Sequence, residues 1–122
     1  MSMRLLGIVV AVAGVGALIA RGAEGGVVER ERKRIRKKFT VTPDCVIEYK
    51  GDPADAAAFW ASADEFLQKM VELAAPQEIR DPAGLASYTM LVLFPECDQT
   101  GQLTPSFLAV RKALEFRFSS ME

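Results

Sequence analysis

Sixteen consecutive residues, Leu5 to Ala20 (LLGIVVAVAGVGALIA), carry no charge and no strongly polar group. No other feature narrows the choice of fold as much, because such a run must leave water. As an α-helix it rises about 24 Å, and Met3, Arg4, Arg21 and Gly22 extend it toward the roughly 30 Å of a hydrocarbon core if both arginines snorkel. The reading that follows is a single N-terminal transmembrane helix over residues 1–22. The rival is a cleavable signal peptide, whose exit would be Ala20-Arg21-Gly22, a poor small-x-small pattern. A third reading buries the run as a soluble helix. Gly7, Ala11, Gly14 and Ala17 recur at i, i+4, i+7 and i+10, a small-residue stripe that lets another helix approach closely in lipid.

Directly after this run the charge changes. Residues 1–38 hold nine Lys/Arg against three Glu, a net +6, whereas residues 39–122 hold six against thirteen Asp/Glu, a net −7. Gly22 to Gly26 reads as a flexible break, and the segment 23–38 as a basic juxtamembrane collar. Its charges are Arg30, Arg32, Lys33, Arg34, Arg36, Lys37 and Lys38. Glu29 and Lys33 form an i,i+4 pair in the favourable order, so a short exposed helix is expected. A cluster of this kind holds its side of a membrane protein in the cytoplasm, and it also suits anionic lipid headgroups. Nucleic acid is the weaker partner, since the segment has no aromatic to stack on bases and no recognised reading motif.

Residues 39–122 read as one small acidic α-rich domain. Phe39–Val41 and Val46–Tyr49 have the β-branched and aromatic character of one or two short strands, interrupted at Pro43. Three helices should follow, each announced by a capping residue and a proline: Asp52-Pro53, Asp81-Pro82 and Thr104-Pro105. The first is expected to run about 22 residues to Pro76, with Phe59, Ala63, Phe66, Leu67, Met70 and Ala74 on one face. The second carries Leu85, Ala86, Met90, Leu93 and Phe94, although its apolar centre also suits a buried strand. The third carries Phe107, Val110, Leu114 and Phe118. Asp98 to Gly101 reads as a polar turn. The fold class is therefore mainly α: a transmembrane helix followed by a three-helix domain with one or two short β-strands.

Chemistry is bounded by what is missing. With no histidine, Ser-His-Asp and Cys-His nucleophiles and histidine-ligated zinc are excluded, and two cysteines hold neither a four-cysteine zinc site nor an iron–sulfur cluster. The carboxylates read as caps and solvated faces, so no catalytic, cofactor-binding or metal site is expected. Cys45 and Cys97 each sit beside a Pro-acidic pair, and a bridge between them would close a long loop. A bridge needs an oxidising compartment whereas the basic cluster points to the reducing side, so the two signals conflict. Trp60 and Phe116 are the aromatics open to a partner contact; Trp60 fits the core or a semi-exposed contact better, and Phe116, off its helix's main apolar stripe, also suits a second buried contact.

The functional expectation is a non-enzymatic, single-pass membrane-anchored accessory or structural subunit, its partners the lipid bilayer and other subunits of a membrane complex or a virus or phage particle. The alternatives are an exported, disulfide-stapled binding domain released after signal cleavage, and a basic adaptor for anionic lipid or nucleic acid.

Overall fold

The computed structural model describes residues 22–99 and 104–121. In chain order the described elements are α1 (Gly22–Arg36), β1 (Phe39–Val41), β2 (Ile47–Tyr49), α2 (Asp64–Ala74), α3 (Pro82–Leu93) and α4 (Pro105–Ser120), joined in part by 3₁₀ turns. The chain is mainly helical, with four α-helices and two short strands among the described residues.

The expectation of a single-pass membrane protein does not stand. No helix among the described residues is long and apolar enough to cross a membrane. The run 5–20 and its stripe of Gly7, Ala11, Gly14 and Ala17 lie outside the described residues, as does the second half of the expected turn 98–101, whose first half belongs to the 3₁₀ segment Pro95–Gln99. The helix that comes next, α1, has eight charged side chains in fifteen residues, a composition that hydrocarbon rejects. The glycine-rich break is also corrected: α1 begins at Gly22 and runs through GAEGG. Nor is the basic segment a detached collar. Val28 and Ile35, seven residues apart and so on one face, are both fully buried, and they pack α1 against the helices behind it.

Both short strands form, and they pair antiparallel with Phe39 opposite Tyr49, Thr40 opposite Glu48 and Val41 opposite Ile47. Period-2 alternation turns Phe39 and Ile47 inward. The turn between them closes when the Cys45 N–H donates to the Thr42 carbonyl at 2.9 Å and the Val46 N–H donates to Thr42 Oγ1 at 3.0 Å. Cys45 pays for the tight turn with a left-handed backbone, φ 65°, which costs any residue with a Cβ.

Two of the three cap-and-proline signals open true helices. Asp81 accepts the Gly84 N–H at 3.1 Å and starts α3; Thr104 Oγ1 accepts the Phe107 N–H at 3.2 Å and starts α4. At Gly84 a Cβ would come within 2.9 Å of the Asp81 carboxylate, so the absent side chain leaves room for that cap. The apolar centre of 82–93 is a helix, not a strand. Asp52 caps only a 3₁₀ turn, Pro53–Asp55, with its Oδ1 accepting the Ala54 N–H. The expected 22-residue helix is thus divided into that turn, a second 3₁₀ segment at Ala58–Ala63, α2 itself, and a 3₁₀ end at Ala75–Gln77. Phe59 and Trp60 both reach the ring of Phe39, at 5.9 and 5.7 Å between centroids, and this packing overrides regular winding there.

Two charged clamps tie the elements together. Arg117 on α4 donates two parallel bonds to Asp64 at the start of α2, at 2.9 and 2.6 Å. Arg36 at the end of α1 donates to Glu96 at 3.2 and 2.8 Å and to the Leu93 carbonyl at 2.8 Å, and its guanidinium lies 5.2 Å from the Phe94 ring centre. A cation placed on the last carbonyls of α3 also meets the negative end of that helix's dipole.

Among the described residues one buried side-chain polar group is left unsatisfied. The Tyr88 hydroxyl is buried with no hydrogen-bond partner, while nearby Gln77 donates instead to the Leu73 carbonyl at 2.6 Å. Burial pushes the Tyr88 phenol above its ordinary value, with the Gln77 side chain pulling weakly the other way. Its neutral form is favoured by folding, so its contribution is intact below the ordinary tyrosine value and stability falls as pH rises past that value toward the raised one. Tyr88→Phe is expected to stabilise the fold by about 1 kcal/mol at neutral pH and to flatten the alkaline limb of the stability–pH curve. Urea unfolding of both proteins at a series of pH values reads both effects, and a destabilised phenylalanine variant would contradict the orphaned hydroxyl.

Candidate functional site: a groove beside the last helix

The hairpin, the turn after it and α4 meet without filling the space between them. The result is a groove of about 350 Å³ whose aromatic wall is Phe39, Tyr49 and Trp60. Ile47 also lines it. Pro53, Ala54, Ala56 and Ala57 form the near bank, and Ala109, Val110 and Ala113 from α4 form the far one. Among the described residues no charged side chain lines it, and the polar groups are the Tyr49 phenol and Ser106. This is the composition of a binding cleft, apolar with few and placed polar groups, in the size range of small-ligand and side-chain pockets.

Each bank is held by specific contacts. Phe39 lies stacked on Trp60, 18° from parallel, and edge-on to Tyr49 at 5.4 Å and Phe94 at 5.9 Å. The hairpin is pinned to α4 by two hydroxyls: Ser106 Oγ accepts the Ile47 N–H at 2.8 Å, and Thr104 Oγ1 donates to the Cys45 carbonyl at 2.6 Å. Cys45 is also bonded to Cys97, with 5.4 Å between Cα atoms, so the hairpin turn is stapled to the 3₁₀ segment Pro95–Gln99 that follows α3. The two cysteines singled out in the sequence are therefore one disulfide.

The other singled-out residues are spread over the molecule. Trp60 is 1% exposed, a core residue that also lines the groove. Phe116 is 74% exposed on the outer side of α4, away from the groove lining. Of the seven basic residues, Arg32 pairs with Glu29 at 2.6 Å, Arg34 with Glu31 at 2.9 Å, Arg36 with Glu96, and Lys33 lies 4.0 Å from Glu29. Arg32 holds the Glu29 carboxyl below the usual carboxylate range by its hydrogen bond, partly offset by burial. Arg30, Lys37 and Lys38 are exposed. The cluster is thus partly neutralised within the fold. Among the described residues no group of three or more Cys, Asp or Glu is placed to hold a metal ion.

Sequence reasoning missed the groove. Its signal is a second small-residue stripe on α4, Ser106, Ala109, Val110 and Ala113 at i, i+3, i+4 and i+7, together with the alanines of PADAAA. No protein family, curated protein or solved structure matches this chain.

Proposed function

We propose that this chain is a disulfide-stapled accessory domain that works by contact and not by catalysis, seating a bulky apolar side chain of a partner protein in the hairpin–α4 groove. The observation that carries the reading is the groove itself: an aromatic wall facing small residues, held open by hydroxyl and disulfide ties on the hairpin side. Its rim supplies direction. Asp52 and Asp55 are exposed and bracket Pro53 and Ala54, so a basic residue beside the apolar anchor meets opposite charge. The bridge supports an oxidising compartment as the working environment, the setting of an exported binding domain.

A displayed library of linear peptides, panned against the full chain, tests this. The expected outcome is enrichment of peptides with a large apolar residue next to Lys or Arg. Their binding should shift the emission of Trp60, the single tryptophan in the chain, and weaken at least about tenfold when Ala109→Arg fills the groove. Peptides that bind the Ala109→Arg protein equally well, or an absence of enrichment, would remove the groove from the reading.

A further inference from the structure

α4 has more than two sides. Phe107, Leu114 and Phe118 face the core, and Ala109, Val110 and Ala113 face the groove. Lys112, Glu115, Phe116 and Ser119, at i, i+3, i+4 and i+7, make a further face turned about 120° from the groove stripe at 100° per residue. Beside this face lie Asp81, Pro82 and Ala83 from the start of α3, and between the two elements is a hollow of about 390 Å³. Phe116 lines that hollow yet stands 74% exposed. Lys112 and Glu115 flank it, and neither has an ion-pair partner among the described residues. An isolated exposed apolar residue needs no explanation; one beside a hollow and between charges of both signs, Lys112 on one hand and Glu115 with the exposed Asp81 on the other, does.

We infer that this face is where a second copy of the chain docks, across a two-fold axis. A two-fold interface presents the same patch twice, so it must be complementary to itself. This patch is. Lys112 faces the partner's Glu115 while Glu115 faces the partner's Lys112, and each Phe116 ring enters the hollow beside the other copy's α3. A patch of one sign would repel its own image, and a patch without the hollow would leave two phenyl rings opposed. The groove lies on another side of α4 and stays open in the pair.

Sedimentation equilibrium of the full chain at low salt, over a wide concentration range, tests the pairing. A reversible monomer–dimer equilibrium is expected. Phe116→Ser should raise the dimer dissociation constant at least about thirtyfold, the effect of removing a central aromatic anchor. Lys112→Glu alone and Glu115→Lys alone should each raise it about tenfold, because each reversal acts twice by symmetry. An equimolar mixture of those two variants should associate again, one being doubly acidic and the other doubly basic at the patch. Circular dichroism checks that each variant is folded, which is expected because Lys112 and Phe116 are exposed and Glu115 is partly so. A chain that stays monomeric throughout, an association that survives Phe116→Ser, or single reversals not rescued by mixing would each overturn the inference.

Discussion

Breaking the Cys45–Cys97 bridge in the full chain is expected to lower the free energy of unfolding by about 4 kcal/mol, the chain-entropy value for a loop of this length. The cysteines are 52 residues apart, and the loop they close contains the hairpin's second strand, α2 and α3. Without the bridge the unfolded chain regains the freedom that closure removes, while the folded chain keeps most of its contacts. A small domain typically has about 5–15 kcal/mol in all, so the expected loss is a large share of the total. Cys45→Ala with Cys97→Ala and the wild-type chain under reductant should behave alike. Their urea midpoints should fall well below that of the oxidised protein, with circular dichroism or Trp60 emission as the signal. A loss below about 1 kcal/mol would mean that packing already restrains everything the bridge restrains.

The second large effect is expected at Phe39. Its ring is edge-on to Tyr49, Phe59 and Phe94 and stacked on Trp60, so one side chain joins the hairpin, the segment before α2 and the end of α3. Phe39→Ala should cost about 4 kcal/mol, the transfer term plus a cavity that four rigid rings close poorly. Phe39→Leu keeps much of the volume and should cost under about 1.5 kcal/mol. Chemical denaturation of the two variants separates a hub from an ordinary core position: the gap between them is the expected result, and equal small losses would show that the cluster repacks without its centre.

What the sequence reveals and what it conceals divides along the range of the physics. Caps are local, so Asp81 and Thr104 announce α3 and α4 from a few residues each. Asp52 makes the same local bond, yet Ala56, Ala57 and Ala58 bury too little area to hold an α-helix to the domain, and the chain winds tightly until Phe59 and Trp60 find Phe39. α1 was obscured for the opposite reason. Its glycines and eight charges dominate the pattern, whereas its attachment rests on the buried Val28 and Ile35 and on the Arg36 clamp to Glu96 and Leu93. The apolar run 5–20 reads as a membrane helix from its lack of polar groups and its flanking arginines; the described helices give that architecture no support. The bridge and the groove are tertiary facts. The proximity of Cys45 to Cys97 leaves no periodic trace, and the stripe of Ser106, Ala109, Val110 and Ala113 does not say that PADAAA will lie against it. Phe116 was legible as an outlier from its helix's main stripe, but the hollow beside it required α3 to be in place.

The double hydroxyl tie between hairpin and last helix has a kinetic consequence. Ser106 and Thr104 sit in and just before the first turn of α4, and they grip the strand end and the turn crest of the hairpin. The hairpin side of the groove and the α4 bank are therefore held to one another, and an arriving side chain meets these two sides already set. Association of that kind needs no rearrangement to precede it, so encounter rates should be governed by diffusion and the acidic rim, and differences among ligands should appear in how long they stay.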